Sequence, residues 1–275
     1  MLFAARETDP HICPMTDWAK PHAGGPLKTA AVQVETGGPH QSRLADFADC
    51  VGPPDVIAQG AETVLVQQLP AARMTDKSVH GGFIAMGFPT VLIGGPTFTI
   101  PKNITIEGTP DFQNKVIRDL FFLSTLPSGK VLFKRLGDSG APIVIKEYEG
   151  TDNSFCDDNT FNNGSTILYS PGVAIQAYDV NGNLIDMPPQ IVLGHEMVHA
   201  LGNAEGTHAK GKDPNAPASE PNIEAEEART IGTGSYNGQT PTENSLRQDA
   251  GLPRRDNHLG QLLSTPAPSL RPGGY

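Results

Sequence analysis

The stretch Pro188-Pro189-Gln190-Ile191-Val192-Leu193-Gly194-His195-Glu196-Met197-Val198-His199-Ala200-Leu201-Gly202 carries His-Glu-x-x-His on an apolar background. Histidines four apart stand on one face of a helix, one turn from each other. Their imidazoles can meet at a single Zn²⁺, with Glu196 turned toward the water that the metal activates. Zinc lowers the pKa of that water to about 7, so a carboxylate can take its proton and hand it to a leaving amine. The two prolines suit a helix start, and Ile191, Val192, Val198 and Leu201 give the helix an apolar side. This composition supplies about 0.01 copies of the motif by chance. A zinc hydrolase is therefore favoured over a core helix with two satisfied histidines.

Whole-chain totals narrow the setting. A length of 275 residues allows one or two domains, and 30 Gly with 25 Pro suit turn-rich β structure. A formal charge of −10 argues against non-specific nucleic-acid binding. Three cysteines, an odd number, make no disulfide framework. Residues 1–10 carry charges of both signs without an apolar core, so no signal peptide is expected. No apolar run approaches the roughly 20 residues of a membrane span. Export, if it occurs, would bypass the general secretory route.

The first hundred residues repeat. Ala5-Arg6-Glu7-Thr8-Asp9 recurs as Ser42-Arg43-Leu44-Ala45-Asp46 and as Ala72-Arg73-Met74-Thr75-Asp76. Four residues after each aspartate stands a potential metal ligand: Cys13, Cys50, His80. A glycine turn and a short β-type run follow, clearest in Thr63-Val64-Leu65-Val66 and Thr90-Val91-Leu92-Ile93, with Ala31-Val32-Gln33-Val34 in the longer first cycle. Short strands with Gly and Pro at every corner bury little, so stacking or a metal must stabilise them.

This stretch resembles the PAAR-repeat proteins that form the tip of the type VI secretion spike. Pro70-Ala71-Ala72-Arg73 is the cluster behind that name; Asp9-Pro10-His11-Ile12-Cys13-Pro14, Pro21-His22-Ala23-Gly24-Gly25-Pro26, Cys50-Val51-Gly52-Pro53-Pro54-Asp55-Val56-Ile57 and Val79-His80-Gly81-Gly82 also match. Over residues 1–97 the resemblance implies an all-β cone with threefold pseudo-symmetry, seated on a trimeric, VgrG-like spike protein, with a structural zinc near its point. The ligands expected here are Cys13, His22, Cys50 and His80, with His11 as a substitute for either cysteine. His40 reads as surface. Gln41-Ser42-Arg43 replaces the expected second cluster, so that corner is expected to be less regular.

Residues 98–110 read as a linker with alternating apolar positions, possessing at most a terminal strand. Asp111 suits the N-cap of a helix ending near Leu126-Pro127, and Ser128 that of a second helix through Leu136, stopped by Gly137. Residues 142–146, 165–169 and 173–180 read as strands, the last closed by an Asn181-Gly182-Asn183 turn. The Asn/Asp-rich loop Thr151–Gly164 lacks a calcium-loop spacing and reads as a solvated turn holding the free thiol Cys156. Residues 261–275 are expected to be a disordered tail.

A catalytic zinc needs a third protein ligand. Glu205 completes HExxHxxGxxE, but no methionine follows Met197 to make the turn a metzincin needs. The competing site is Asn222-Ile223-Glu224-Ala225-Glu226-Glu227-Ala228-Arg229-Thr230-Ile231-Gly232, a short helix that Asn222 can cap and Gly232 can end. Glu-Glu-x-Arg-Thr-Ile-Gly after HExxH is similar to a segment of clostridial neurotoxin light chains. With Thr242-Glu243-Asn244-Ser245-Leu246-Arg247 and Gly251-Leu252-Pro253-Arg254-Arg255, it also resembles type III effector zinc proteases, some of which cut host MAP kinases. Over residues 111–260 the resemblance implies an α+β, zincin-like, gluzincin-type metalloprotease. It makes Glu226 the third ligand, Glu227 an orienting carboxylate, and Arg255 with His258 the oxyanion pair, His258 standing where a Tyr is expected. His208 reads as solvent-exposed.

The combined expectation is a toxin made in a bacterial cytoplasm and carried on a type VI spike, acting as a zinc endopeptidase on proteins of the target cell. An immunity protein or chaperone would accompany it, with no nucleic acid and no membrane span. The alternatives are a peptidoglycan amidase and a structural spike component with a non-catalytic zinc domain.

Overall fold

Each cycle of the N-terminal repeat closes on an arginine–aspartate clamp. Asp9, Asp46 and Asp76 each accept the backbone N–H of the arginine three residues earlier at 2.8 Å, and pair with its guanidinium as well. So tight a loop drives the residue before each aspartate into the left-handed region: Thr8 at φ 75°, Ala45 at 67°, Thr75 at 76°. Such a conformation costs about 1–3 kcal/mol for a side-chain-bearing residue, and the clamp offsets it. Three backbone bonds then tie the cycles head to tail. Ala5 donates to the Ala72 carbonyl at 3.0 Å, Ala72 to Ser42 at 2.9 Å, and Ser42 back to Ala5 at 2.9 Å. The buried apolar residues form two small clusters, Ala5, Leu27, Ala48, Ile57, Ala72 and Ile84, and Ala4, Ala61, Ala71 and Ile93.

The computed structural model describes residues 1–148, 155–157, 164–263 and 270, and divides into two compact units. The first comprises Met1–Ile100 with Gly108–Arg118. Its strands are β1 (Leu2–Ala4), β2 (His11–Ile12), β3 (Thr16–Asp17), β4 (Lys20–Pro21), β5 (Gly24–Leu27), β6 (Ala31–Glu35), β7 (His40–Gln41), β8 (Phe47–Cys50), β9 (Asp55–Val56), β10 (Gly60–Val66), β11 (Leu69–Ala71), β12 (Phe83–Ile84), β13 (Phe88–Ile93) and β14 (Thr97–Phe98). The three apolar runs of the repeat are β6, β10 and β13, and they leave Val32, Leu65 and Leu92 exposed. The Gln41-Ser42 corner is as regular as the others. The buried Gln41 amide donates to the carbonyls of Ser42 and Ala72, so a side chain reinforces the backbone where the proline–alanine cluster is missing. His40 is half-buried against Glu7.

The second unit comprises Pro101–Glu107 and Asp119–Leu270. Strands β15 (Ile104–Glu107), β16 (Ile143–Glu147), β17 (Phe155–Asp157) and β18 (Ser165–Tyr169) form one sheet in the order β15-β16-β18-β17. The first three are parallel; β17 runs antiparallel to β18. A second sheet, β20-β19-β21, joins β19 (Ala174–Tyr178), β20 (Leu184–Met187) and β21 (Gly260–Leu263). The α-helices among the described residues are α1 (Pro110–Thr125), α2 (Pro127–Ser139), α3 (Pro189–Glu205), α4 (Ala225–Ile231) and α5 (Glu243–Asp249).

The central element is α3, buried at every position from Pro189 to Asn203 rather than along one apolar side. It packs on α2, α4, α5, β17 and β18. Tyr169 anchors its start: the hydroxyl lies 2.8 Å from Asp119 Oδ2 and 2.9 Å from the Pro189 carbonyl. Asn203 fixes its end by donating to Ser165 Oγ at 3.1 Å. At Gly194 an added Cβ would lie 2.6 Å from Leu246 Cδ1, so a larger residue would make that side chain of α5 shift.

Several local expectations change. The 98–110 stretch is not a free linker, because it supplies part of β14 and all of β15. Thr109, not Asp111, caps α1, its hydroxyl accepting from Phe112 N at 3.3 Å. Helix α2 runs through Gly137 and stops at Gly140, φ 65°. Cys156 sits in β17, and Gly260–Leu263, partly in the stretch expected to be disordered, forms β21. The rest of the Asn/Asp-rich loop, except Gly164, and the tail from Ser264, except Leu270, lie outside the described residues.

Arg73 and Asp76 are both about 2 % exposed, so Asp76→Ala strands a buried cation and should cost about 3–5 kcal/mol. Asp9→Ala, whose partner Arg6 is 19 % exposed, should cost distinctly less. Urea unfolding of the full chain, following the transition of the first unit, measures both; equal losses would contradict the clamp's role.

Candidate active site and a candidate metal centre

In the first unit, Cys13, His22, Cys50 and His80 place four ligand atoms within 4.8 Å of one another. Cys13 and His22 directly follow β2 and β4, Cys50 ends β8, and His80 lies in the turn before β12. Cys13 Sγ is 3.6 Å from His80 Nδ1, and Cys50 Sγ is 3.5 Å from His22 Nδ1. Asp17 Oδ2 lies 3.1 Å from His22 Nε2, on the side of the ring away from the Nδ1 that faces Cys50. Burial, with Cys13 as neighbour, pushes the Cys50 thiol up to about 12. His11 stands outside the cluster, its Nδ1 2.9 Å from the Gly25 carbonyl and its Nε2 3.4 Å from Asp55. Two sulfurs and two imidazoles are a donor set suited to a closed tetrahedral zinc.

In the second unit, α3 projects His195 and His199 into a cavity of about 790 Å³. Their Nε2 atoms are 3.2 Å apart. His195 Nδ1 donates to Glu243 Oε2 at 2.8 Å, and His199 Nδ1 to Glu226 Oε1 at 3.1 Å. A carboxylate only accepts, so each neutral ring keeps its hydrogen on Nδ1 and a lone pair on Nε2. Glu227 brings Oε2 to 3.4 Å from His195 Nε2 and Oε1 to 3.5 Å from His199 Nε2. Its buried Oε2 has no hydrogen-bond partner among the described residues. With both rings neutral, two lone pairs and a carboxylate converge, an arrangement that a cation satisfies, whether a metal ion or a proton taken up on Nε2.

Electrostatics agree. Burial disfavours a charged imidazole at His195, yet the carboxylates of Glu227 and Glu243 outweigh it and raise the pKa to about 10. Burial likewise opposes ionisation of Glu226 and Glu243, but Arg229 and His199 hold the first, and Arg255 and His195 the second, at about 2. Glu227 is held well below the carboxylate range by the two histidines despite its burial. Glu196 lines the same cavity, and burial raises its pKa. The site is thus built to hold positive charge at its centre.

The two glutamates of α4 exchange the places expected from sequence. Glu227 faces the Nε2 junction, whereas Glu226 lies behind His199 on its Nδ1 edge. Consecutive helix positions point about 100° apart, so only one of them can reach the junction. Glu226 is drawn off by Arg229 Nε at 2.8 Å and the Ala209 N–H at 2.8 Å. Arg229 in turn crosses α3 at Gly202, where a Cβ would lie 2.2 Å from Nη2. Glu205 is bound by Arg135 Nε at 2.9 Å and takes no part in the histidine cluster. Asn222 does not cap α4; Glu224 stands at that position, and Gly232 ends the helix at φ 79°.

Glu243, within the Thr242-Glu243-Asn244-Ser245-Leu246-Arg247 run, carries a role that its sequence position does not reveal. Thr242 caps α5 with a reciprocal Ser245 bond and so turns Glu243 inward, fully buried between Arg255 at 2.9 Å and Arg247 at 3.6 Å. The Arg255 guanidinium is engaged on three sides: Glu243 at 2.9 Å, the Asn257 carbonyl at 2.7 Å and the His258 carbonyl at 2.8 Å. His258 puts Nε2 3.3 Å from Glu227 Oε2, and its ring stacks on His195 at 6.3 Å. His208 lines the cavity half-buried instead of facing solvent, Nδ1 3.3 Å from Asn203 Oδ1. Cys156, Ile175, Met187 and Val192 complete the less polar wall.

Comparison with known proteins places these two units. The PAAR motif matches residues 2–86, and the Peptidase_M91 family, described as effector protein, matches residues 100–258. No curated protein matches the chain. Solved structures similar to it include the botulinum neurotoxin type D light chain, at 16% identity and TM-score 0.37 over 51% of this chain and 49% of that one. The Clostridium botulinum serotype F light chain (16%, 0.37, 52% and 51%) and the serotype HA light chain (16%, 0.38, 51% and 49%) are others. The chain spans about half the length of these light chains, a likeness too slight to carry an argument. Matched over more than half its length, the chain belongs to the Peptidase_M91 effector-protein family and carries a PAAR motif ahead of that domain.

Proposed function

We propose that the chain is a specialised type VI effector, in which a PAAR cone with threefold pseudo-symmetry delivers a zinc-dependent endopeptidase into a target cell. The observation that carries the peptidase reading is the convergence of His195 Nε2 and His199 Nε2 with the Glu227 carboxylate, whose Oε2 has no hydrogen-bond partner among the described residues. His195, His199 and Glu227 would hold the catalytic zinc, and Cys13, His22, Cys50 and His80 a structural zinc in the cone. The catalytic ion, when bound, supplies Lewis-acid polarisation of a peptide carbonyl and a low-pKa water.

Around it, this chain's own residues divide the work. Glu196 takes the water proton and returns it to the leaving nitrogen. Glu243 and Glu226 fix the tautomers of His195 and His199 through Nδ1, which aims both lone pairs inward. Arg255 locks Glu243 to the 257–258 backbone and brings fixed positive charge to the cavity wall where the oxyanion develops. The exposed residues Val32, Leu65 and Leu92 on the three long strands of the cone suit an apolar seat on a trimeric spike protein. The substrate is a protein of the recipient, bacterial or host, and a bacterial target would require an immunity protein in the producer.

Glu196→Gln in the full chain should lower peptidase activity by about 10²–10⁴-fold while zinc content is unchanged. Mapping of new protein N-termini in cells expressing wild type against this variant reads it directly. New termini in both strains alike would sink the assignment. Zinc competition should rank the α4 glutamates: Glu226→Gln weakens the cleft zinc about 10–100-fold, and Glu227→Gln weakens it more. The reverse order would restore Glu226 as the ligand.

A further inference from the structure

We propose that His258 is a fourth protein ligand, closing the catalytic metal site at rest and giving way when substrate enters. The inference rests on the zinc-peptidase reading above and concerns the one coordination position that reading leaves open.

Three facts point to it. His195, Glu227 and His258 each offer an atom to a common point, all within 4.8 Å of one another. His258 Nε2 and His195 Nε2 approach the same Glu227 oxygen at 3.3 and 3.4 Å, yet that buried oxygen takes part in no hydrogen bond among the described residues. A side chain placed to serve Glu227 as a donor would form that bond. One placed to share a cation with it need not. Finally, the backbone of His258 is pinned on both sides, its N–H donating to Glu220 Oε2 at 2.6 Å and its carbonyl accepting from Arg255 Nη2 at 2.8 Å. The side chain itself is 43% exposed.

A fixed backbone with a solvent-facing ring describes a swinging ligand. It can sit on the ion or rotate outward without disturbing the Arg255–Glu243–His195 chain beneath it. The group within 4.8 Å holds His195, Glu227 and His258 without His199, so the His258 ring would have to shift toward the His199 lone pair to complete a tetrahedral set. That set, three imidazoles and a carboxylate, leaves no position for a substrate carbonyl. Opening the site then requires only a change of side-chain rotamer at residue 258. The carrier would travel with its metal held tightly and its chemistry blocked, and substrate occupying the cavity would displace the ring.

The test uses zinc competition against a chromophoric chelator on the full chain as wild type, His258→Ala and His258→Gln. The Gln variant keeps a donor of similar reach and so separates loss of a ligand from loss of a hydrogen bond. The cone site serves as internal reference, identified as the step lost in a Cys13→Ser, Cys50→Ser chain. The expected result is a cleft affinity at least about tenfold weaker in both variants, no less than is lost with groups one step further from a metal, with the cone step unmoved. Cobalt substitution should show a matching change in the visible bands of the cleft site. Two bound zincs in wild type with unchanged cleft affinity and bands in both variants would overturn the ligand role alone. A wild-type chain that takes up only the cone zinc would overturn it together with the peptidase reading.

Discussion

The site depends on two imidazoles being forced to turn their lone pairs toward each other. An Nε2–Nε2 separation of 3.2 Å is unfavourable for neutral rings whose hydrogens both sit on Nδ1. The fold sustains it because carboxylates grip each ring from behind: Glu243 at His195 and Glu226 at His199. Those carboxylates are themselves held by arginines, the buried Arg255 and the partly buried Arg229. Negative charge brought in by Glu227 then makes the centre a place for a cation. Remove the rear carboxylates and the rings are free to relax into an ordinary hydrogen-bonded pair.

Burial explains why so polar an arrangement holds its shape. Helix α3 has no solvent face over Pro189–Asn203, so neither histidine can escape by turning outward. Glycines let the supporting charge come close: at Gly202 the Arg229 guanidinium lies where any other side chain would be. The first unit solves its smaller problem in a similar way. Its apolar clusters are small and rich in alanine, and buried ion-pair clamps and a ring of backbone bonds add to them.

Much of this could be read in the residues, because both sites are built from motifs whose spacing has direct geometric meaning. HExxH puts two rings on one helix face, and the Arg-x-x-Asp recurrence describes a clamp that repeats residue for residue. What stayed hidden depends on three-dimensional proximity between distant segments. Two adjacent glutamates look alike in a sequence, and only the pull of Arg229 and Ala209 on Glu226 distinguishes them. Glu243 reads as an ordinary first-turn acid of a capped helix until the fold buries it beneath His195. The β15 strand was hard to recognise for a related reason: Ile104–Glu107 becomes a strand only by pairing in parallel with β16, across the intervening α1 and α2.

The most direct test of the central claim is an anomalous difference map from zinc-grown crystals, with data on either side of the zinc absorption edge. The expected result is a peak about 2 Å from the Nε2 atoms of His195 and His199 and from a Glu227 oxygen. An absent peak in the cleft, or one bound through Glu226 with Glu227 turned away, would contradict the account.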